Sequence, residues 1–224
     1  MVAAAMRALL GAALAAGLAA AGAVEPPLWG GAPAWEADVL MTAPSDSAER
    51  PVWHLHYAFD SGLPADRYDH GQGQGDEICS LAAASRARPG APCTVIMRPK
   101  LGALVIVPSA PSSEQCCRCA NLSLGPVRID WLRRSEATYE GRKEISGVQV
   151  DEWLTYAQFD NHYYATVDEA CRPVRFMEHK KDKLKQWDFD LDSFRAGPVN
   201  RTVFDIPSDC MSFCSGCEQS TAQV

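Results

Sequence analysis

Nine cysteines are the residues of this 224-residue chain with the most chemistry open to them: Cys79, Cys93, Cys116, Cys117, Cys119, Cys171, Cys210, Cys214 and Cys217. The clusters Cys116-Cys117-Arg118-Cys119 and Cys210-x-x-x-Cys214-x-x-Cys217 each have the density of half a metal site or a redox centre. Cys214-Ser-Gly-Cys217 has the spacing of thiol oxidoreductases, which set that pair at a helix N-terminus behind a strand and so lower the thiol pKa. Here it lies near the C-terminus of a strand-rich pattern with no helix to follow, so a thiol-disulfide oxidoreductase acting through Cys214 and Cys217 ranks third among the readings. Structural disulfides are the expectation for the nine. An odd count leaves one thiol free or bonded to a second copy, as a disulfide-linked homodimer.

The other reactive groups assemble less. His54 and His56 share one face of an alternating strand, but two imidazoles do not make a zinc site and no third ligand accompanies them. His162 and His179 are candidate bases, yet no G-x-S-x-G elbow or strand-to-helix setting supplies a nucleophile. Gly71-x-Gly73-x-Gly75 lacks the Lys and the strand-loop-helix context of a phosphate loop and reads as a flexible loop. Asp188, Asp190 and Asp192 line up along an extended run instead of wrapping an ion, with no Gly and Glu downstream to complete a calcium loop. The expectation is therefore no catalytic residue, no metal and no cofactor.

Strands must carry these groups. From Val127 to Phe176 the chain is a run of strands rich in Val, Trp, Tyr and Phe, with reversals expected at Ser146-Gly147 and Asp160-Asn161 and a new strand opening at Arg172-Pro173. Upstream, Trp35 to Met41 and Val52 to Phe59 alternate, and Thr94 to Met97 and Ala103 to Pro108 are apolar strands. Leu63 to Cys93 has the least ordered pattern, with Asp76 placed to cap a short helix reaching about Ser85. Gln186 to Phe194 alternates most cleanly, Trp187, Phe189 and Leu191 against three aspartates, as in a sheet covered on one side. Lys180 to Lys185 is a basic cluster between two strand patterns, read as a solvated hairpin tip.

The N-terminus has Arg7, an apolar run from Ala8 to Ala20 and the small-residue end Ala21-Gly22-Ala23, the three-part pattern of a secretory signal rather than of a transmembrane segment. A signal peptide at 1–23, an extended leader at 24–34, one antiparallel β domain at 35–209 and a Cys-rich tail at 210–224 follow. Secretion favours disulfides, and Asn121-Leu122-Ser123 and Asn200-Arg201-Thr202 are glycosylation sequons. A net charge of −7 without a basic stripe argues against nucleic acid as a partner. With no retrieval signal of the KDEL kind at the C-terminus, the expected compartment is extracellular or a lytic vacuole.

Asp130-Trp131-Leu132, Tyr139-Glu140-Gly141-Arg142, Ser146-Gly147, Trp153, Tyr163-Tyr164 and Arg172-Pro173-Val174-Arg175-Phe176 occur in an order that resembles a family of secreted plant, algal and protist proteins. The pattern is similar to the domain preceding some protist papain-type proteases and, more distantly, to ependymin-related proteins. Val150 stands where the family has a Cys, and Ser135-Glu136-Ala137 replaces its Gly-Ala, so its disulfide arrangement does not transfer. The resemblance implies a mainly β fold: a strongly curved antiparallel sheet, a half-barrel of the ependymin and LolA/LppX type, with one or two short helices. It implies a secreted non-enzymatic protein that binds a lipid or other apolar small molecule, with Trp153, Tyr156, Phe159, Tyr164, Phe176, Trp187 and Phe189 as candidate pocket residues. The alternative is a disulfide-linked adhesion or assembly module without a cavity. Treatment of the secreted protein with an N-glycanase is expected to lower its mass; an unchanged mass removes both sequons from the account.

Overall fold

The computed structural model describes residues 24–42, 52–119, 125–156, 159–180, 183–208, 210, 212–215 and 217. The expected signal segment and the Asn121 sequon lie outside the described residues. Twelve strands form one antiparallel sheet: β1 (Ala34–Thr42), β2 (Val52–Asp60), β3 (Ala65–His70), β4 (Cys93–Arg98), β5 (Gly102–Ile106), β6 (Cys116–Cys119), β7 (Thr138–Ile145), β8 (Val148–Tyr156), β9 (Asp160–Thr166), β10 (Pro173–Lys180), β11 (Lys183–Phe189) and β12 (Arg195–Ala196). Their spatial order is β6-β5-β4-β3-β2-β1-β11-β10-β9-β8-β7, with β12 paired beside β1. Two meanders thus run outward from a central β1. Consecutive strands β6 and β7 lie at opposite edges, so the chain between them must cross the sheet.

Local chemistry explains most boundaries. Ser146 and Gly147 have φ of 50° and 82°, the pair of positive values that a two-residue type I′ hairpin between β7 and β8 requires. Pro173 opens β10, where its missing donor does least harm. Asp160 and Asn161 are already paired with β8, so that reversal lies before them. The lysine cluster falls at the end of the β10–β11 hairpin, with Lys180 opposite Lys183. The alternation read through Phe194 stops at Phe189: Asp190 Oδ1 accepts the Asp192 N–H at 3.0 Å, the chain turns, and Phe194 re-enters the core.

Alternation does not reveal β3 or β6. β3 reads Ala-Asp-Arg-Tyr-Asp-His, and two of its charges pair along the strand: Arg67 binds Asp69 (2.6 Å), which also accepts from Thr94 of β4 (2.5 Å), while Asp66 accepts from Val127 N–H of the segment that follows β6 (2.6 Å). The glycines before α1 (Ala83–Ala87) are close-approach positions, since a Cβ on Gly75 would lie 2.4 Å from the Trp53 ring and one on Gly73 2.7 Å from Cys93. Asp76 caps as expected, Oδ1 accepting from Ile78 and Cys79 at 2.8 and 2.9 Å, but it caps a 3-10 turn at Cys79–Leu81 and α1 starts separately.

Eight cysteines pair: Cys79–Cys93, Cys116–Cys210, Cys117–Cys214 and Cys119–Cys217, leaving Cys171 unpaired. Neighbouring Cys116 and Cys117 point to opposite faces of β6, as successive strand residues must, so the tail is fastened to that edge from both sides. Arg118 completes the attachment, donating to Ser212 O (2.9 Å) and accepting from Cys214 N–H (3.1 Å). Among the described residues no helix is long and apolar enough to cross a membrane.

Trp29, inside the Pro- and Gly-rich segment, sits at the centre of the largest core cluster, 5% exposed. Its indole lies 5.2–6.2 Å, centroid to centroid, from Trp35, Tyr57, Trp131, Tyr163, Phe176 and Phe189. Trp29→Ala is expected to cost about 3–5 kcal/mol, measured by guanidinium unfolding with the disulfides intact. An unchanged midpoint would contradict a central role for this ring.

Candidate ligand cleft

The crossing segment brings a second layer onto the aromatic face. After Gly125 it runs over β3, where Val127 N–H donates to Asp66 Oδ2 (2.6 Å), and Ile129 O accepts from Trp29 N–H (2.8 Å). It then forms α2 (Trp131–Arg134), whose Leu132 is fully buried and whose Trp131 packs on Tyr163 and Phe176 at 6.3 and 5.9 Å. The layer does not seal the face. A cleft of ≈ 530 Å³ remains, within the range of small-molecule sites.

Its walls are mostly apolar. The sheet contributes Val39, Leu55, Tyr57, Tyr68, Phe176, Trp187 and Phe189, and the crossing segment Val127 and Trp131, with Trp29 between the two layers. Arg128, Asn161 and Glu178 are the polar lining residues. The cations here have partners: Arg128 Nε is 3.1 Å from Asp130, and Lys185 Nζ lies 4.7 Å from the centre of the Trp187 ring and 3.8 Å from Asp76.

Of the residues expected in a pocket, Phe176, Trp187 and Phe189 line this cleft. Trp153 is 2% exposed, packed 5.2 Å from Tyr139 beside α2, and borders only a smaller hollow under the N-terminal segment. Tyr164 faces the other side of the sheet with Val150 and Val174, donating to Glu152 at 2.7 Å. Tyr156 is 71% exposed, and Phe159 is half-buried outside the lining. Tyr57 lies on the apolar face of an expected strand without being assigned to a pocket, while Trp29 and Trp131 escape a reading by strand periodicity, because a turn and a crossing helix bring them in. Their one sequence signal was ring type.

The remaining polar clusters are structural. Burial pushes the Glu152 carboxyl upward, but Lys143, Tyr164 and His162 outweigh it and hold the group below the usual range. His56 Nδ1 lies 2.8 Å from Asp38 on the exposed face it shares with His54. Two sets of donors crowd closely enough for a metal among the described residues, Cys119 with Cys214 and Cys217, and His70 with Asp76 and Cys79. Every sulfur in them is committed to a disulfide, so neither set fits an ion. Cys214 and Cys217 bond to β6 and not to each other, unlike a redox pair.

No protein-family model and no curated protein matches the sequence. Among solved structures, the chain is similar to an uncharacterised conserved protein from Thermus thermophilus, with 11% identity over 81% of this chain and 90% of that one and a TM-score of 0.48. A LolA superfamily protein from Nitrosomonas europaea gives 10%, 81%, 92% and 0.42, and the Mycobacterium tuberculosis lipoprotein LppX gives 12%, 76%, 90% and 0.38. These likenesses concern the fold, and the functional reading rests on the cleft.

Asp66, which ties the crossing segment down, is fully buried, and that burial raises its pKa from the ordinary 3.8 to about 8 against the opposing pull of Val127 N–H and the Tyr57 and Tyr68 hydroxyls. The folded chain therefore holds a proton that the unfolded chain loses between those values. The stability this proton supplies is full below pH 3.8 and is lost as pH rises toward 8. The denaturation midpoint should fall across that window, and Asp66→Asn should flatten the fall; parallel curves for the two proteins would exclude Asp66 as its source.

Proposed function

We propose that this is a secreted, non-enzymatic protein that carries a lipid or other apolar small molecule in the cleft between the sheet and its crossing segment. The observation that carries the reading is the cleft wall, built of aromatic and aliphatic side chains with few polar groups, the composition that suits apolar ligands. Such a wall binds by removing apolar surface from water, worth about 25 cal/mol per Å².

Rings converging from distant strands support it, and with it a sheet curved around the cleft. Four strand spacings separate β2 from β9, roughly 19 Å on a flat sheet. Yet the rings of Tyr57 and Tyr163, on those strands, lie only 6.2 and 5.2 Å from one indole, that of Trp29. Four disulfides support an oxidising compartment, outside the cell or in a lytic vacuole. The Asn200 sequon is exposed at the start of a short 3-10 turn, where a glycan would meet no core.

Mature protein secreted from a eukaryotic host should release a stoichiometric lipid into organic solvent, absent from a mock purification. Trp187→Ala should lose most of that lipid while keeping the native disulfides and near-ultraviolet circular dichroism. A folded, empty protein whose melting temperature no added lipid raises would overturn the carrier reading.

A further inference from the structure

Beside the cleft, one carboxylate is shared by two bases. Asp76 Oδ1 is fixed by the Ile78 and Cys79 N–H groups, and Oδ2 lies 3.5 Å from His70 Nε2 and 3.8 Å from Lys185 Nζ. The three come from separate elements, β3, the loop before α1 and β11. Each base also touches an aromatic residue of the cleft wall: His70 stacks on Tyr68, 6.4 Å between ring centres and 13° between planes, and Lys185 Nζ is 4.7 Å from the centre of the Trp187 ring.

His70 is 2% exposed, and neither ring nitrogen has a hydrogen-bond partner. A neutral imidazole leaves one donor unmade there; an imidazolium leaves two and adds a buried charge, which Asp76 is placed to balance. The other groups around the ring are Lys185 and Asp69, the latter already engaged by Arg67 and Thr94, with Cys93 of β4 bonded to Cys79 and Leu55 opposite on β2. Burial lowers the His70 pKa from the ordinary 6.5, Asp76 and Asp69 pull it back, and Lys185 lowers it further. The ring is therefore neutral at pH 7 and takes its proton in acid.

With His70 neutral, the charges of Asp76 and Lys185 balance. With His70 protonated, two cations share one buried carboxylate and a net positive charge is left against an apolar wall. Lys185 is the one that can leave: its side chain is 18% exposed on a flexible stem, and Glu178 stands opposite it on β10. We infer, on the carrier reading above, that His70, Asp76 and Lys185 form a proton-operated latch on the cleft. Acid transfers Asp76 from Lys185 to His70, the lysine swings off the Trp187 ring, and the ligand leaves faster. Such a device suits a carrier that loads at neutral pH and unloads in an acidic compartment.

The test follows N-phenyl-1-naphthylamine, an apolar dye that stays uncharged from pH 7 to 4.5, as it passes from delipidated mature protein into excess phosphatidylcholine vesicles. In the wild type its release should quicken about tenfold over that range, the loss of one ion-pair and cation–π contact. His70→Phe keeps the stacked ring and takes no proton, so its release should stay slow throughout. Lys185→Met keeps the stem without the charge and should release fast at every pH, with native near-ultraviolet circular dichroism. Asp66, with its pKa at about 8, holds its proton over this range in all three proteins. An unchanged wild-type rate, or a rise of wild-type size in Lys185→Met or in folded His70→Phe, overturns the latch and leaves the carrier reading standing. A dye that binds at neither pH defeats both.

Discussion

The insertion of one indole between two layers holds this protein in its shape. Trp29 donates through Nε1 to the Tyr57 hydroxyl (3.0 Å), its carbonyl accepts from Trp35 (3.2 Å), and its own N–H is tied to Ile129 O. Next to it, Gly30 N–H donates to the Tyr163 hydroxyl (3.2 Å), and a Cβ there would lie 2.1 Å from the Trp35 ring. Sheet, N-terminal segment and crossing segment thus meet at a single ring whose polar groups are all satisfied. Rings around it can be large and still leave a cleft, because the indole props the second layer off the sheet.

The two sheet edges are protected by unlike means. A bare edge offers unpaired N–H and C=O groups to any passing strand. At β6 the tail covers it, held by three disulfides that close loops of 94 to 98 residues. At β7 the sequence Thr-Tyr-Glu-Gly-Arg-Lys-Glu-Ile does so with charge, and with a register shift at Gly141, whose φ of 106° suits glycine. The central strands need neither device, and there the apolar side chains are largest.

Much of this was legible, for a physical reason. Strand alternation is a local signal, and it located β1, β2, β4, β5 and the β7–β11 meander, together with the cleft residues Phe176, Trp187 and Phe189. It could not locate β3, since a strand that carries Asp66, Arg67, Asp69 and His70 among six residues looks like a loop, nor Trp29, whose neighbours are prolines and glycines. Which face a ring takes was also hidden: Tyr163 and Tyr164 are adjacent and oppositely directed, one in the core and one against Glu152. Whether a ring on the right face stays accessible depends on the crossing segment. That is why Trp153, beside α2, is sealed while Trp187 borders the cleft.

The bridges between β6 and the tail set a schedule on biosynthesis. Cys116, Cys117 and Cys119 are synthesised 94 to 98 residues ahead of their partners, a delay of roughly 5–20 s at ribosomal rates. During that interval the only other new thiol to arrive is Cys171, which ends without a partner. Any bond formed meanwhile to Cys171 has to be exchanged before the tail can lock onto β6, so the third bridge closes only after Cys217 has been made.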